Sequence, residues 1–180
     1  MESGIELFEN ALAWLRDNYG KFRFFTERDI VWTVQNHIIE LIGEQNLPYR
    51  VFHNFPVSLP GKRQSLCTDL AILNQDDSVE VAIEFKYEPS HLRKDIWPTK
   101  FPVVFWDKEG VGKDIERINE FVDKFVAKDK VGARTAYLIF IDEGGYFKRR
   151  NPHPGSKWEE WQLRDPLVNC VSVLRAQARR

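Results

Sequence analysis

Residues 66–86 read LCTDLAILNQDDSVEVAIEFK, two apolar runs on either side of a polar segment. The runs Leu66–Leu73 and Val79–Tyr87 are rich in valine, isoleucine, leucine and phenylalanine, a composition typical of β-strands. The segment between them, NQDDS at residues 74–78, consists of residue types that favour a turn. The stretch therefore predicts an antiparallel hairpin. Side chains alternate along a strand, so one face of the second strand is predicted to be apolar and to carry Val79, Val81, Ile83 and Phe85.

The register of this hairpin decides which side chains meet across it. A four-residue loop at residues 75–78 would place Asp69 directly opposite Glu84. The same register would place Ala71 opposite Ala82, leaving room for a metal and a substrate phosphate. Opposed Cβ atoms lie about 4.5–5.5 Å apart, where like charges destabilise the pair. A divalent cation would offset this repulsion, and carboxylate oxygens suit Mg²⁺ or Mn²⁺.

Lys86 shares the face of Glu84 and can neutralise part of the charge of the two acids. A Glu-x-Lys pair on its own is more often a solvated surface pair, and that alternative stays open. However, Asp69 lies within an otherwise apolar strand, where an unpaired carboxylate would cost several kcal/mol. The combination of these residues therefore favours a metal site over a surface pair.

The flanking sequence predicts helices and further strands around the hairpin. Apolar residues at helical spacing predict helices at residues 4–18, 26–42 and 113–128, the second of them capped by Thr26 and ended by Gly43. Apolar runs predict strands at residues 49–58, 133–141 and 168–174, whereas residues 142–166 are expected to form a surface loop. This order predicts an α/β fold with a mixed sheet flanked by helices, in which the first three strands form an antiparallel meander.

Glu27 is a third acidic candidate, in the first turn of the second predicted helix. At helical spacing it aligns with the apolar stripe of Ile30, Val34 and Ile38, which is expected to face the core. An acid in the first turn is more often a partner of the helix dipole than a catalytic group. Both roles stay open for Glu27 at this point.

A helix with an acidic residue, three strands with Asp69 and then Glu84-Phe85-Lys86, and a further helix and strand together resemble the PD-(D/E)xK nuclease superfamily. The resemblance covers about residues 24–142 and implies the restriction-endonuclease-like fold with its αβββαβ core. Thr68 stands where the family motif begins with proline. The segment Asp114 to Arg117 falls where many members carry further polar residues on the next helix.

The resemblance implies that Asp69, Glu84 and the backbone carbonyl of Phe85 bind Mg²⁺ or Mn²⁺, with Glu27 anchoring a metal-bound water or a second ion. The ion would polarise the scissile phosphate and lower the pKa of a bound water, which Lys86 would hold or activate. The implied activity is hydrolysis of phosphodiester bonds in DNA, with RNA as the less favoured substrate. The alternative is a catalytically silent member of the fold that serves as a binding or assembly module.

Basic residues elsewhere are candidate contacts to a nucleic-acid backbone. Lys148, Arg149 and Arg150 follow the aromatic residues Tyr146 and Phe147, whose rings could stack on bases. Arg117 is a further candidate. A solvated charge run is the commoner explanation for such a segment, and it stays open here.

The 180 residues hold 26 Lys+Arg and 27 Asp+Glu, and a net charge of -1 argues against a polycationic nucleic-acid coat protein. The length predicts one domain over residues 1–180, with a nuclease-like core and a C-terminal extension at residues 143–180. The two cysteines lack CxxC spacing, and the acidic N-terminal residues differ from a secretory signal, so we expect a cytoplasmic location. No apolar run approaches the ~18 residues of a membrane span.

Other enzyme motifs are missing from the sequence. There is no GxxxxGK phosphate loop, no GxSxG elbow and no HExxH helix. A catalytic core without a targeting domain would need a second copy to cut both strands of a duplex, so a homodimer is expected.

Overall fold

The computed structural model of the protein describes residues 3–58, 66–93, 95, 104–107, 109–163 and 170–180. Its helices are α1 (Gly4–Asn18), α2 (Glu27–Gln45) and α3 (Val111–Asp123). Its strands are β1 (Arg50–Val57), β2 (Leu66–Leu73), β3 (Val79–Glu88), β4 (Thr135–Asp142), β5 (Ser156–Gln162) and β6 (Cys170–Arg179). Short 3₁₀ turns lie at Tyr19–Lys21 and Ala127–Asp129.

The six strands form one sheet in the order β1-β2-β3-β4-β6-β5. Strands β1, β2 and β3 form an antiparallel meander, while β3 and β4 are parallel and the pairs of β6 with β4 and β5 are antiparallel. The predicted α/β fold with a mixed sheet, and the predicted meander within it, are confirmed.

Helices lie on both faces of this sheet. Val81, Ile83 and Phe85 of β3 are fully buried against the side chains of α1 and α2. Ala82, on the opposite face of the same strand, is buried with the apolar side chains of α3. Each large apolar side chain buried in this way contributes roughly 1.5–3 kcal/mol relative to exposure. The alternation along β3 therefore ties both helical layers to the strand that carries Glu84 and Lys86.

Helix α2 begins as predicted and ends later. Thr26 and Asp29 form a reciprocal capping box at its N-terminus, which satisfies two backbone N–H groups of the first turn. Gly43 does not end the helix. Asn46 does, in the left-handed conformation with φ of 50° that is common just after a helix.

The predicted surface loop at residues 142–166 is wrong for residues 156–162, which form β5. This strand reads SKWEEWQ and lies at the edge of the sheet, where only Trp161 among its residues is buried. Its charged residues resemble a loop in composition because an edge strand tolerates, and uses, exposed charge. Residues 164–166 of the predicted loop, and residues 168 and 169 of the predicted last strand, lie outside the described residues.

The hairpin has the predicted register except at its turn. Ala71 pairs with Ala82, and Leu70 pairs with Ile83. A bulge between Ile72 and Leu73 shifts the end of the ladder, so that Val79 pairs with Leu73 instead of Asn74. Val79 is consequently buried on the α3 side of the sheet, and its predicted place on the face of Val81 is wrong.

None of the helices in the described part of the chain is long and apolar enough to cross a membrane.

Candidate active site

Strands β2 and β3 separate just beyond the pair Leu70–Ile83, and side chains replace the backbone ladder there. The Thr68 hydroxyl donates a hydrogen bond of 2.8 Å to the Ile83 carbonyl. The Asp69 carboxylate accepts one of 2.7 Å from the Phe85 N–H. Two polar side chains of β2 therefore satisfy β3 backbone groups that would otherwise lack partners, since buried backbone groups are rarely left unpaired.

This separation brings the two predicted acids together. Asp69 and Glu84 are the residues that follow the last pair, Leu70–Ile83, so their predicted pairing is not part of the ladder and stays a prediction. The Asp69 carboxylate lies against the peptide that joins Glu84 to Phe85, because Phe85 donates its N–H to it. The Phe85 carbonyl in turn accepts a hydrogen bond of 3.1 Å from Lys86 Nζ.

Lys86 lies between carboxylates of two helices. Its Nζ is 3.4 Å from Glu27 Oε2 on α2 and 3.3 Å from Asp114 Oδ2 on α3. Glu27 therefore contacts the predicted site, and the helix cap is formed by Thr26 and Asp29 instead. Among the described residues, Lys86 links both helical layers through one ammonium group.

Glu84 is the most enclosed acid of the group, with 2% of its surface exposed. Arg117 donates a hydrogen bond of 3.1 Å to its Oε2, while its Oε1 is buried without a hydrogen-bond partner. Arg117 also lies 3.6 Å from Asp114, one helical turn away on α3. Arg117 was predicted to contact nucleic acid. In the structure its guanidinium forms an ion pair with Glu84.

Burial dominates the protonation behaviour of these acids. It raises the pKa of Glu84 to about 8, helped by the nearby Asp69 and opposed by Arg117. It raises the pKa of Glu27 to about 7 although Lys86 lowers it. Burial also raises the pKa of Asp69, against the lowering effect of the Phe85 N–H. The cluster is therefore short of positive charge, a condition common at functional sites.

Burial and the neighbouring charges act in opposite directions on the pKa of Lys86. Burial alone would lower its pKa, but the carboxylates of Glu27 and Asp114 raise it, and the net pKa lies above the ordinary value for lysine. The ammonium therefore stays charged and stabilises acids that would otherwise repel one another.

The donor set of the cluster matches the chemistry of a hard divalent cation. Asp69, Glu84 and the Phe85 carbonyl supply oxygen atoms, which Mg²⁺ and Mn²⁺ prefer. The unpartnered Glu84 Oε1 is a buried acceptor that an ion would satisfy. In the described part of the chain, no three or more His, Cys, Asp or Glu side chains are arranged to hold a metal ion on their own. A bound ion would therefore need the backbone carbonyl, water or the substrate as additional ligands.

Asp114 is the one residue of the cluster that was not predicted as a site residue. It is 4% exposed, and its Oδ2 has no hydrogen-bond partner, although it lies within ion-pair distance of Lys86. The available signal was its place in the segment Asp114 to Arg117 of the family pattern. Its alignment with Ile118 and Phe121 at helical spacing also places it on the buried side of α3, by the argument that applies to Glu27.

The predicted basic segment, residues 148–150, is exposed, and two of its side chains contact other groups of the protein. The Arg150 guanidinium lies 5.3 Å from the centre of the Phe147 ring and 5.9 Å from that of Trp106. Lys148 lies 3.9 Å from Glu160 on β5. Contact of Lys148, Arg149 and Arg150 with nucleic acid stays a prediction.

The chain was compared with protein-family models, with curated proteins and with solved structures, and none of the three comparisons found a match.

Proposed function

We propose that the protein is a metal-dependent nuclease of the PD-(D/E)xK type, which hydrolyses phosphodiester bonds, with DNA as the expected substrate. One observation carries the proposal: the Asp69 carboxylate accepts a hydrogen bond from Phe85, which lies between Glu84 and Lys86, and the Lys86 ammonium contacts Glu27. An unrelated surface pair would not bring four such residues from three elements together. We also propose that the α/β fold of the protein is of the restriction-endonuclease-like type.

The roles of the residues follow from their chemistry. Asp69, Glu84 and the Phe85 carbonyl would hold Mg²⁺ or Mn²⁺, which polarises a phosphate and lowers the pKa of a bound water. Lys86 would orient the attacking water and stabilise the negative charge that develops on the phosphorus oxygens. Glu27 lies 3.4 Å from Lys86 and would position its ammonium. Arg117 lies 3.1 Å from Glu84 and favours its ionised form, against the effect of burial.

A cleavage assay tests the proposal directly. Supercoiled plasmid, linear DNA and RNA are incubated with the protein and with Mg²⁺, Mn²⁺ or a chelator. We expect new strand ends with metal and none with the chelator. Absence of cleavage for every substrate and both metals would contradict the proposal.

A homodimer is proposed for cutting a duplex, and sedimentation with and without DNA would detect it.

Asp69→Asn is expected to abolish binding of Mn²⁺ measured by isothermal titration calorimetry. The substitution keeps the size of the side chain and removes the charge that a cation needs. Asp76→Asn is the matched control, because Asp76 is an exposed acid in the turn between β2 and β3. Equal Mn²⁺ binding by the wild type and the Asp69 variant would rule out Asp69 as a ligand.

Glu27→Gln is expected to slow cleavage by about tenfold without a loss of helix content. The helix cap is formed by Thr26 and Asp29, so stability should change little. Single-turnover rates and circular dichroism would measure the two effects. An unchanged rate would return Glu27 to a role in the helix alone.

A catalytically silent binding module is the second candidate function. It is favoured by the ion pairs that already neutralise the acids, Arg117 with Glu84 and Lys86 with Glu27 and Asp114. Such pairs would stabilise the fold without a metal. Folded protein that binds nucleic acid but neither binds Mn²⁺ nor cuts would support this candidate.

A further inference from the structure

A pocket of about 380 Å³ opens beside the acids, between α2 and the edge of the sheet. Glu27, Arg28, Val31 and Trp32 of α2 form one wall, and His53, Asn54 and Asp69 form the other. Two of these residues, Glu27 and Asp69, belong to the candidate active site. The pocket is therefore continuous with the place where the proposed function puts the scissile phosphate.

Trp32 gives this pocket a flat aromatic surface. It is 56% exposed, an unusual state for the largest apolar side chain. The imidazole of His53 lies 6.4 Å from it at an interplanar angle of 55°, so the two rings do not stack on each other. The Trp32 face stays available to a third ring, while His53 is held by a contact of 3.0 Å with Gln35.

The charges around the pocket suit one strand of a nucleic acid. Arg28 is exposed and forms no ion pair within the described residues, so its guanidinium is available to a phosphate. The acidic wall at Glu27 and Asp69 repels a phosphate when no metal is bound, which leaves the exposed Arg28 as the phosphate contact under those conditions. The pocket thus combines an exposed cation, an aromatic face and two acids of the candidate active site, a set that matches one nucleotide and its flanking phosphates.

The size of the pocket restricts the substrate further. Ligand pockets run from about 300 to 1,000 Å³, and this one lies near the lower limit. A base can stack on the Trp32 ring only when it lies outside a stack of base pairs. We propose that the Trp32 pocket binds an unpaired base next to the scissile phosphate, so that the preferred substrate is a single strand or an unpaired end. This inference rests on the proposed function of the adjoining acids.

Fluorescence anisotropy tests the inference with a labelled single-stranded oligothymidine of twelve nucleotides, in chelator so that nothing is cut. Trp32→Ala is expected to weaken binding about tenfold, because stacking on an aromatic side chain contributes at this level. Trp32→Phe should restore most of the affinity. Ile39→Ala is the matched control, because Ile39 is an exposed apolar residue two turns further along α2. A same-length abasic oligomer should bind wild type and Trp32→Ala alike.

Three outcomes would contradict the proposed base-binding pocket. Trp32→Ala could bind the oligothymidine as tightly as the wild type does. It could also lose as much affinity for a duplex, or for the abasic oligomer, as it loses for the oligothymidine. Ultraviolet cross-linking of a 5-iodouracil oligonucleotide to the unaltered protein gives a second measurement, and peptide mapping should find Trp32. Because binding is measured without metal, the two proposals fail separately. Trp32-dependent binding without cleavage would contradict only the nuclease, while Lys86-dependent cleavage that ignores Trp32 would contradict only the pocket.

Discussion

Lys86→Ala is expected to lower the rate of metal-dependent DNA cleavage by about three orders of magnitude and to leave the protein folded. The Lys86 ammonium lies within 3.4 Å of Glu27 and Asp114 and donates to the Phe85 carbonyl. Without it, no side chain of β3 can hold the attacking water or stabilise charge on the phosphorus oxygens. Single-turnover cleavage at saturating protein would measure the loss in the chemical step.

The control for this prediction is Lys128→Ala, because Lys128 is an exposed lysine on the 3₁₀ turn after α3. Its rate should equal that of the wild type. Circular dichroism should show the same spectrum for both variants. A Lys86→Ala protein that cuts at the wild-type rate would show that the activity comes from another group or from a contaminating enzyme.

Arg93→Met is expected to destabilise the fold by about 3–5 kcal/mol, the usual effect of removing one partner of a buried ion pair. The Arg93 and Glu143 side chains are each 3% exposed and lie 3.4 Å apart. Arg93 also donates to the Phe24 carbonyl at 2.9 Å and to the Tyr87 hydroxyl at 3.2 Å. Urea denaturation would measure the free energy of unfolding.

Arg16→Met is the matched control for Arg93. Arg16 pairs with Asp17 at 2.9 Å, but both side chains are at least half exposed, so the loss should stay below about 1 kcal/mol. Adding Glu143→Gln to Arg93→Met should recover part of the stability, since it removes the charge left without a partner. A loss below 1 kcal/mol for Arg93→Met would show that the buried pair contributes little to stability.

The sequence predicted the hairpin and its acids because those signals are local. The alternation of β3 places Glu84 and Lys86 on one face. The pairing of Ala71 with Ala82 was predicted from a four-residue loop, and the bulge restores that register although the turn is one residue longer. The place of Glu27 was predictable as well, because its spacing from Ile30 and Val34 puts it on the buried side of α2.

The remaining features depend on contacts between distant parts of the chain. The bulge between Ile72 and Leu73 could not be predicted from the identity of either residue. Strand β5 reads as a loop because its charged residues lie at the edge of the sheet and Trp161 is its one buried residue. The Arg93–Glu143 pair joins residues 50 positions apart, and an isolated arginine in a polar segment gives no sign of burial. Asp114 reaches Lys86 only because α3 crosses the face of β3.

Asn54 has a consequence for how copies of this chain can associate. It has a φ of 49°, and the pairing of β1 with β2 passes from His53–Leu70 to Phe55–Thr68 without it. Strand β1 is at the outer limit of the sheet, where a regular backbone would offer a template for intermolecular strand addition. The kink at Asn54, together with Pro56 and its missing N–H, interrupts that template. Strand addition between copies of this chain is thereby disfavoured at this edge of the sheet.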